Sequence, residues 1–201
     1  MSGHFESRRL EQLSNTIFGV AMTLLAYQAP RETFANGNPQ WREIWHLYGA
    51  YFSTLLLSFI VAGMFWYSHQ RRLAYASDAG RFEVLGNLLF LLTIILLPVS
   101  CALYGNNYDA PNVTIVYSIN LALIAFFNTV LWTVAVVRRQ DWPTLITPWF
   151  SLALFVAALL ACVIEPSWPK YIWPIAFLTP AISAWVEKRR AAAGAASSGL
   201  D

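Results

Sequence analysis

The sequence predicts an all-α membrane protein with six transmembrane helices, and three observations carry that reading. Of its 201 residues, 57% are hydrophobic and only 12% charged, whereas a soluble domain keeps about a quarter of its residues charged. Apolar runs of the length that crosses a bilayer, about 20 residues, recur at roughly 10–29, 44–67, 83–104, 113–137, 145–164 and 170–186. Between those runs the basic residues fall on alternate loops. With the N-terminus inside, Arg8, Arg9, Arg71, Arg72, Arg81, Arg138, Arg139, Lys188, Arg189 and Arg190 share one side, against Arg31, Arg42 and Lys170 on the other. Ten against three is a strong positive-inside bias, so both termini are expected in the cytoplasm.

The first run begins "RRLEQLSNTIFGVAMTLLAY", residues 8–27. Two arginines before an apolar stretch also describe a secretory signal peptide, but no A-x-A site follows, and the segment reads as a retained helix. The second run ends in "FWYSHQRRL", and the third contains Pro98. The loop "GNNYDAPN" then leads into the fourth. There Asn112-Val113-Thr114 fits either a glycosylation acceptor or, as the plainer alternative, an asparagine capping the helix after Pro111. The fifth run is uncharged, and the last, 170–186, is the short one. The sixth holds Pro174 and Pro180 and is expected to be kinked or tilted. Residues 1–190 are thus expected to form one transmembrane domain, and the alanine-rich stretch 191–201 a disordered tail.

Several function classes drop out. A net charge of +2 gives no basic surface for nucleic acid. Cys101 and Cys162 each sit inside an apolar run, which favours buried free thiols over a disulfide, and no CxxC or Cys/His spacing announces a metal or cofactor. No run holds paired carboxylates or a Ser/His/Asp set. Glu43 and His46 stand near one end of the second run, but two groups do not make a catalytic site, and an enzyme is not expected.

The first helix carries the most information. At 100° per residue, Leu13, Thr16, Leu24 and Tyr27 fall within about 40° of Val20, and Thr23 within about 60°. A second stripe, Asn15, Gly19, Met22 and Ala26, lies 100° to 160° away and has the small residues that let helices approach in lipid. An apolar line broken by two hydroxyls suits a narrow pore. It also suits ordinary packing, with each threonine bonded to its own backbone, and periodicity alone leaves both open. At one end of the first three helices, Arg9, Ser14 and Asn15 meet Trp66 and His69, then Asn87. Polar groups at membrane depth need partners, so a shared hydrogen-bond cluster is expected. His69 as a lone interfacial histidine is the alternative.

These residues resemble the transmembrane protein 175 family, the lysosomal potassium channel and its bacterial homologues. The family opens with an arginine, three residues, then Phe-Ser-Asp; here Arg9 is followed by Leu13-Ser14-Asn15 and "TIFGVAMTLL". Trp66-x-x-His69 and "NLLFLLTIILLPVS" (87–100) extend the likeness through the first half, while the later helices match only in number. Leu13 replaces the usual aromatic. Asn15 replaces the usual aspartate, keeping its size and one acceptor but no charge.

The resemblance implies a homotetramer of six-helix subunits in a bacterial cell membrane, its first helices surrounding a pore without the Thr-Val-Gly-Tyr-Gly filter, a motif this sequence lacks. It places the constriction at Val20, with further apolar rings at Leu24 and Tyr27, and a threonine at Thr23. Thr23 and Thr16 would then face potassium and other monovalent cations, while Arg9, Ser14, Asn15, Trp66, His69 and Asn87 hold the helix in register. The expected function is a potassium-preferring channel with a hydrophobic constriction. The alternatives are a secondary transporter, for which Pro98, Pro148 and Pro180 are the only hints, and a proton-permeable leak.

Overall fold

The computed structural model describes the backbone of residues 7–27, 29, 37–75, 80–108 and 110–198. Arg31, counted above as an outer charge, lies outside the described residues. Helices α1 (Ser7–Tyr27), α2 (Trp41–Tyr75), α3 (Arg81–Asn106) and α4 (Pro111–Arg139) follow in order. A 3-10 turn at Trp142–Leu145 leads into α5 (Ile146–Ile164). The chain ends in a short α6 (Pro169–Ile172), a 3-10 stretch Trp173–Leu178, and α7 (Thr179–Ser198).

Among the described residues four segments are long and apolar enough to cross a bilayer: α2, α3, α4 and Trp142–Ile164. The chain is an integral membrane protein. Six runs were expected, and the two that fall short do so for different reasons. Helix α1 carries Arg8, Arg9, Glu11, Gln12, Ser14, Asn15 and Thr16 in its first ten residues, nearly three turns, which leaves too short an apolar remainder to span a bilayer. The last run is broken, as its prolines predict. Pro174 and Pro180 lie at the starts of the 3-10 stretch and of α7, where a missing N–H costs nothing. Beyond it, α7 stays helical to Ser198, through alanines expected to be disordered; alanine is the strongest helix former.

Helix starts are tied down by side chains. Glu83 Oε2 accepts the Gly80 N–H at 2.7 Å, closing the first turn of α3, and Arg138 Nη1 on α4 lies 3.1 Å from Glu83 Oε1. The cap of α4 is Ala110, and Asn112 stands exposed in the first turn, so the capping role expected of Asn112 is not taken. The φ of Pro111 is preset for helix and substitutes for a side-chain cap.

The core runs through Phe18, Phe65, Phe90, Ile94, Leu97, Leu121 and Phe155, drawn from the first five helices. Gly105 lets α3 close on α2: a Cβ there would stand 2.8 Å from Tyr51 Cδ2 and 3.2 Å from its Cα. Inside α3, Pro98 leaves the Ile94 carbonyl without its helical donor, and Asn120 Nδ2 donates to the adjoining Thr93 carbonyl at 3.0 Å. Cys101 and Cys162 are both buried and free, as expected.

Candidate functional site

Helix α1 buries one stripe, Leu10, Ser14, Phe18, Ala21 and Leu25, against the rest of the subunit. This corrects the packing expected from small residues. Gly19 and Ala26 are exposed, and a Cβ on Gly19 would meet nothing within 4 Å. The larger apolar side chains won because burying Phe18 and two leucines removes far more surface from contact with water than burying Gly19 and Ala26 would.

The line read as pore-facing stays outside the subunit core. Val20 is 52% exposed, Leu24 40% and Tyr27 68%, with Thr16 and Thr23 exposed between them. The Thr23 hydroxyl donates to the Val20 carbonyl at 2.8 Å and that of Thr16 to Gln12 at 3.0 Å. Each oxygen therefore keeps lone pairs turned outward. The helix has three sides. About 120° one way from the Val20 line is the buried stripe, and about 120° the other way are Asn15, Gly19 and Ala26.

Of the polar residues expected to gather, Ser14, Asn15, Trp66, His69 and Asn87 do so, in two groups. On the surface, Asn15 Oδ1 accepts from Trp66 Nε1 at 2.9 Å and from Gln70 Nε2, fastening α1 to α2. In the interior, Arg72 Nη2 donates to His69 Nδ1 at 3.1 Å and to Asn87 Oδ1 at 3.0 Å. Asn87 Nδ2 reaches Ser14 Oγ at 3.4 Å, and Ser14 donates to the Leu10 carbonyl at 2.7 Å. Donors and acceptors thus run in one direction across three helices. An arginine only donates, so His69 accepts through Nδ1 and is the neutral tautomer with hydrogen on Nε2. Arg9 stands exposed in the first turn of α1.

Arg72 corrects the charge count. Taken above as a loop charge, it is 3% exposed and is the hub of the interior group. Gln70 was likewise missed. The signal was present: Arg72 follows His69 by three residues and so shares its helix face.

Among the described residues, no group of three His, Cys, Asp or Glu is placed to hold a metal. A second polar cluster, between α2, α4, α5 and α7, surrounds a cavity of about 70 Å³.

The family model for the endosomal/lysosomal potassium channel TMEM175 matches residues 9–98. The first half of the chain is TMEM175-like. That region contains the Val20 line and both polar groups of α1. A protein described as a potassium channel, from Streptomyces collinus, is 29% identical over 136 residues, which cover 63% of this chain and 63% of that relative's length. The crystal structure of a lysosomal potassium-selective TMEM175 homolog from Chamaesiphon minutus superposes with a TM-score of 0.73. It covers 90% of this chain and 98% of its own, at 20% identity. The fold is shared, including the three helices that the sequence likeness reached only by number.

Proposed function

We propose that the chain is one subunit of a homotetrameric, potassium-preferring cation channel, with the Val20 line of α1 facing a central pore. One observation carries this reading: a continuous exposed row of Thr16, Val20, Thr23, Leu24 and Tyr27 lies on a helix whose first half also carries Arg8, Arg9, Glu11, Gln12 and Asn15. Such a face needs water or protein in front of it. Around a four-fold axis each α1 has one side toward the axis, one toward its own subunit and one toward the next. The third is the Asn15, Gly19 and Ala26 side, whose small residues permit close approach. The TMEM175-like sequence over residues 9–98 supports the same assignment.

Four copies of Val20, backed by Leu24 and Tyr27, form a hydrophobic constriction that closes by excluding water. Thr23 and Thr16 offer hydroxyl oxygens to a partly dehydrated potassium ion or another monovalent cation. Among the described residues of α1 no carboxylate lies on the pore side, since Glu11 points about 180° from Val20, so selectivity is modest. Arg9, Ser14, Asn15, Trp66, His69 and Asn87, together with Arg72 and Gln70, keep α1 in register. Arg71, Arg138, Arg139 and Arg189 mark the cytoplasmic side, where both termini lie.

The test is flux through purified protein in vesicles, followed by reversal potentials for Thr23→Ala. The wild type is expected to pass potassium passively. The variant is expected to lose about threefold in potassium-over-sodium permeability, the equivalent of roughly 0.6 kcal/mol for one weak oxygen contact. An unchanged reversal potential would remove Thr23 from the ion path. A secondary transporter is the second reading, favoured by the broken segment at Trp173–Leu178. It predicts saturable flux coupled to a second ion. A proton leak predicts current that follows the proton gradient alone.

A further inference from the structure

We infer, on the reading that Val20 faces the ion path, that Asn120 is a positioning residue for the constriction. It ties together the two sides of the proline break in α3, and α1 is suspended across that break.

Pro98 stands inside α3 and offers no N–H to the Ile94 carbonyl, so the helix is soft there. Asn120, buried on α4, spans the soft point. Its Nδ2 donates to the Thr93 carbonyl at 3.0 Å, and its Oδ1 accepts from Ser100 Oγ at 2.9 Å. Thr93 and Ser100 are about two turns apart on one face, with Pro98 between them. An amide with both ends committed to the two sides of one break fixes the angle between them.

The two halves of α3 hold different parts of α1. N-terminal to the break, Asn87 Nδ2 reaches Ser14 Oγ at 3.4 Å, and the Phe90 and Phe18 rings lie 5.9 Å apart. C-terminal to it, α3 closes on Tyr51 at Gly105, where a Cβ would stand 3.2 Å from the Tyr51 Cα. Tyr51 Oη in turn donates to the Leu25 carbonyl, one of the last four of α1, which lack a donor within the helix. Helix α2 also holds Asn15, but through bonds open to water. Val20 lies between the Phe18 and Leu25 attachments. A change of angle at Pro98 moves one attachment relative to the other, and the segment that carries Val20 shifts with it.

A leucine at position 120 keeps the branched shape and removes both bonds without stranding their partners. Ser100 Oγ keeps the Leu97 carbonyl at 3.1 Å, and the Thr93 carbonyl stays in the helical ladder. Asn120→Leu is therefore expected to fold and assemble with the bend freed.

The experiment measures how fast a cationic thiol reagent modifies Val20→Cys in the full chain, reconstituted in vesicles. Rates are compared for Val20→Cys alone and with Asn120→Leu, with Pro98→Ala, or with both. The same variants retaining Val20 serve as blanks. Asn120→Leu is expected to raise the rate about three- to tenfold, the span to which one neutral hydrogen bond's net contribution converts. Pro98→Ala returns the bond to Ile94 and stiffens α3, so adding Asn120→Leu to it is expected to change the rate by less than about twofold. Ser100→Ala frees only one end of the amide. It is expected to give a smaller rise, and it takes the place of Asn120→Leu if that variant does not fold. A rate no higher than that of Val20→Cys alone, or an equal rise with and without Pro98, would overturn the assignment. Ion flux is recorded on the same vesicles. Its absence throughout would sink the channel reading, while the rates still decide whether Asn120 positions α1.

Discussion

Arg72→Ala is expected to destabilise the subunit by about 2–6 kcal/mol, because two buried acceptors each lose their donor at about 1–3 kcal/mol apiece. That is a large share of the roughly 5–15 kcal/mol that holds a domain folded. Arg72 Nη2 supplies hydrogens to both His69 Nδ1 and Asn87 Oδ1. Removing it strands two buried acceptors and opens a void beside α1. Arg72 Nε and His69 Nε2 have no partner among the described residues, so the Nη2 bonds are what ties Arg72 to the group. The measurement is the yield of monodisperse protein and its unfolding midpoint. Arg72→Lys restores the charge with a single-point donor and is expected to fall between the two. An alanine variant as stable as the wild type would show that the interior group does not hold α1 in place.

The second large effect is functional. Val20→Asn is expected to raise potassium conductance several-fold, with assembly unchanged. Val20 contributes little to the subunit core, being half exposed on the side away from Leu10, Phe18 and Leu25, so an amide there costs little stability. In a closed ring of four, the same amide would hydrate a constriction that conducts only when wet. Unchanged current, from protein shown to be inserted and assembled, would remove Val20 from the pore.

Periodicity and partner chemistry made much of this legible in the sequence. The Val20 line followed from 100° spacing, and a shared cluster around Ser14, Asn15, Trp66 and Asn87 was expected from the expense of lone polar groups at membrane depth, although not which residue bonds which. The break near Trp173 followed from two prolines. What misled were rules that count residues without their orientation. Arg72 was scored by charge and position, although a helix continuing to Tyr75 turns it inward beside His69. Gly19 and Ala26 were scored as packing residues because small side chains allow approach. Inside one subunit, Leu10, Phe18, Ala21 and Leu25 bury more surface, and the small pair stays exposed. The polar cavity could not have been read at all. Its walls come from residues as distant as Ser68 and Ser183, brought together only by how α4, α5 and α7 pack.

The central claim is that the exposed face of α1 lines the ion path. The most direct test is single-channel recording of Val20→Cys in a planar bilayer, under potassium on one side and sodium on the other, before and after a cationic thiol reagent. The native thiols at Cys101 and Cys162 are buried, so the wild type serves as the unreactive control. Ile95→Cys, 47% exposed on α3, reports on a surface away from the proposed pore. Discrete openings that reverse toward the potassium potential, blocked by the reagent at residue 20 and untouched at residue 95, are the predicted result. Labelled Val20→Cys channels that conduct as before would contradict it.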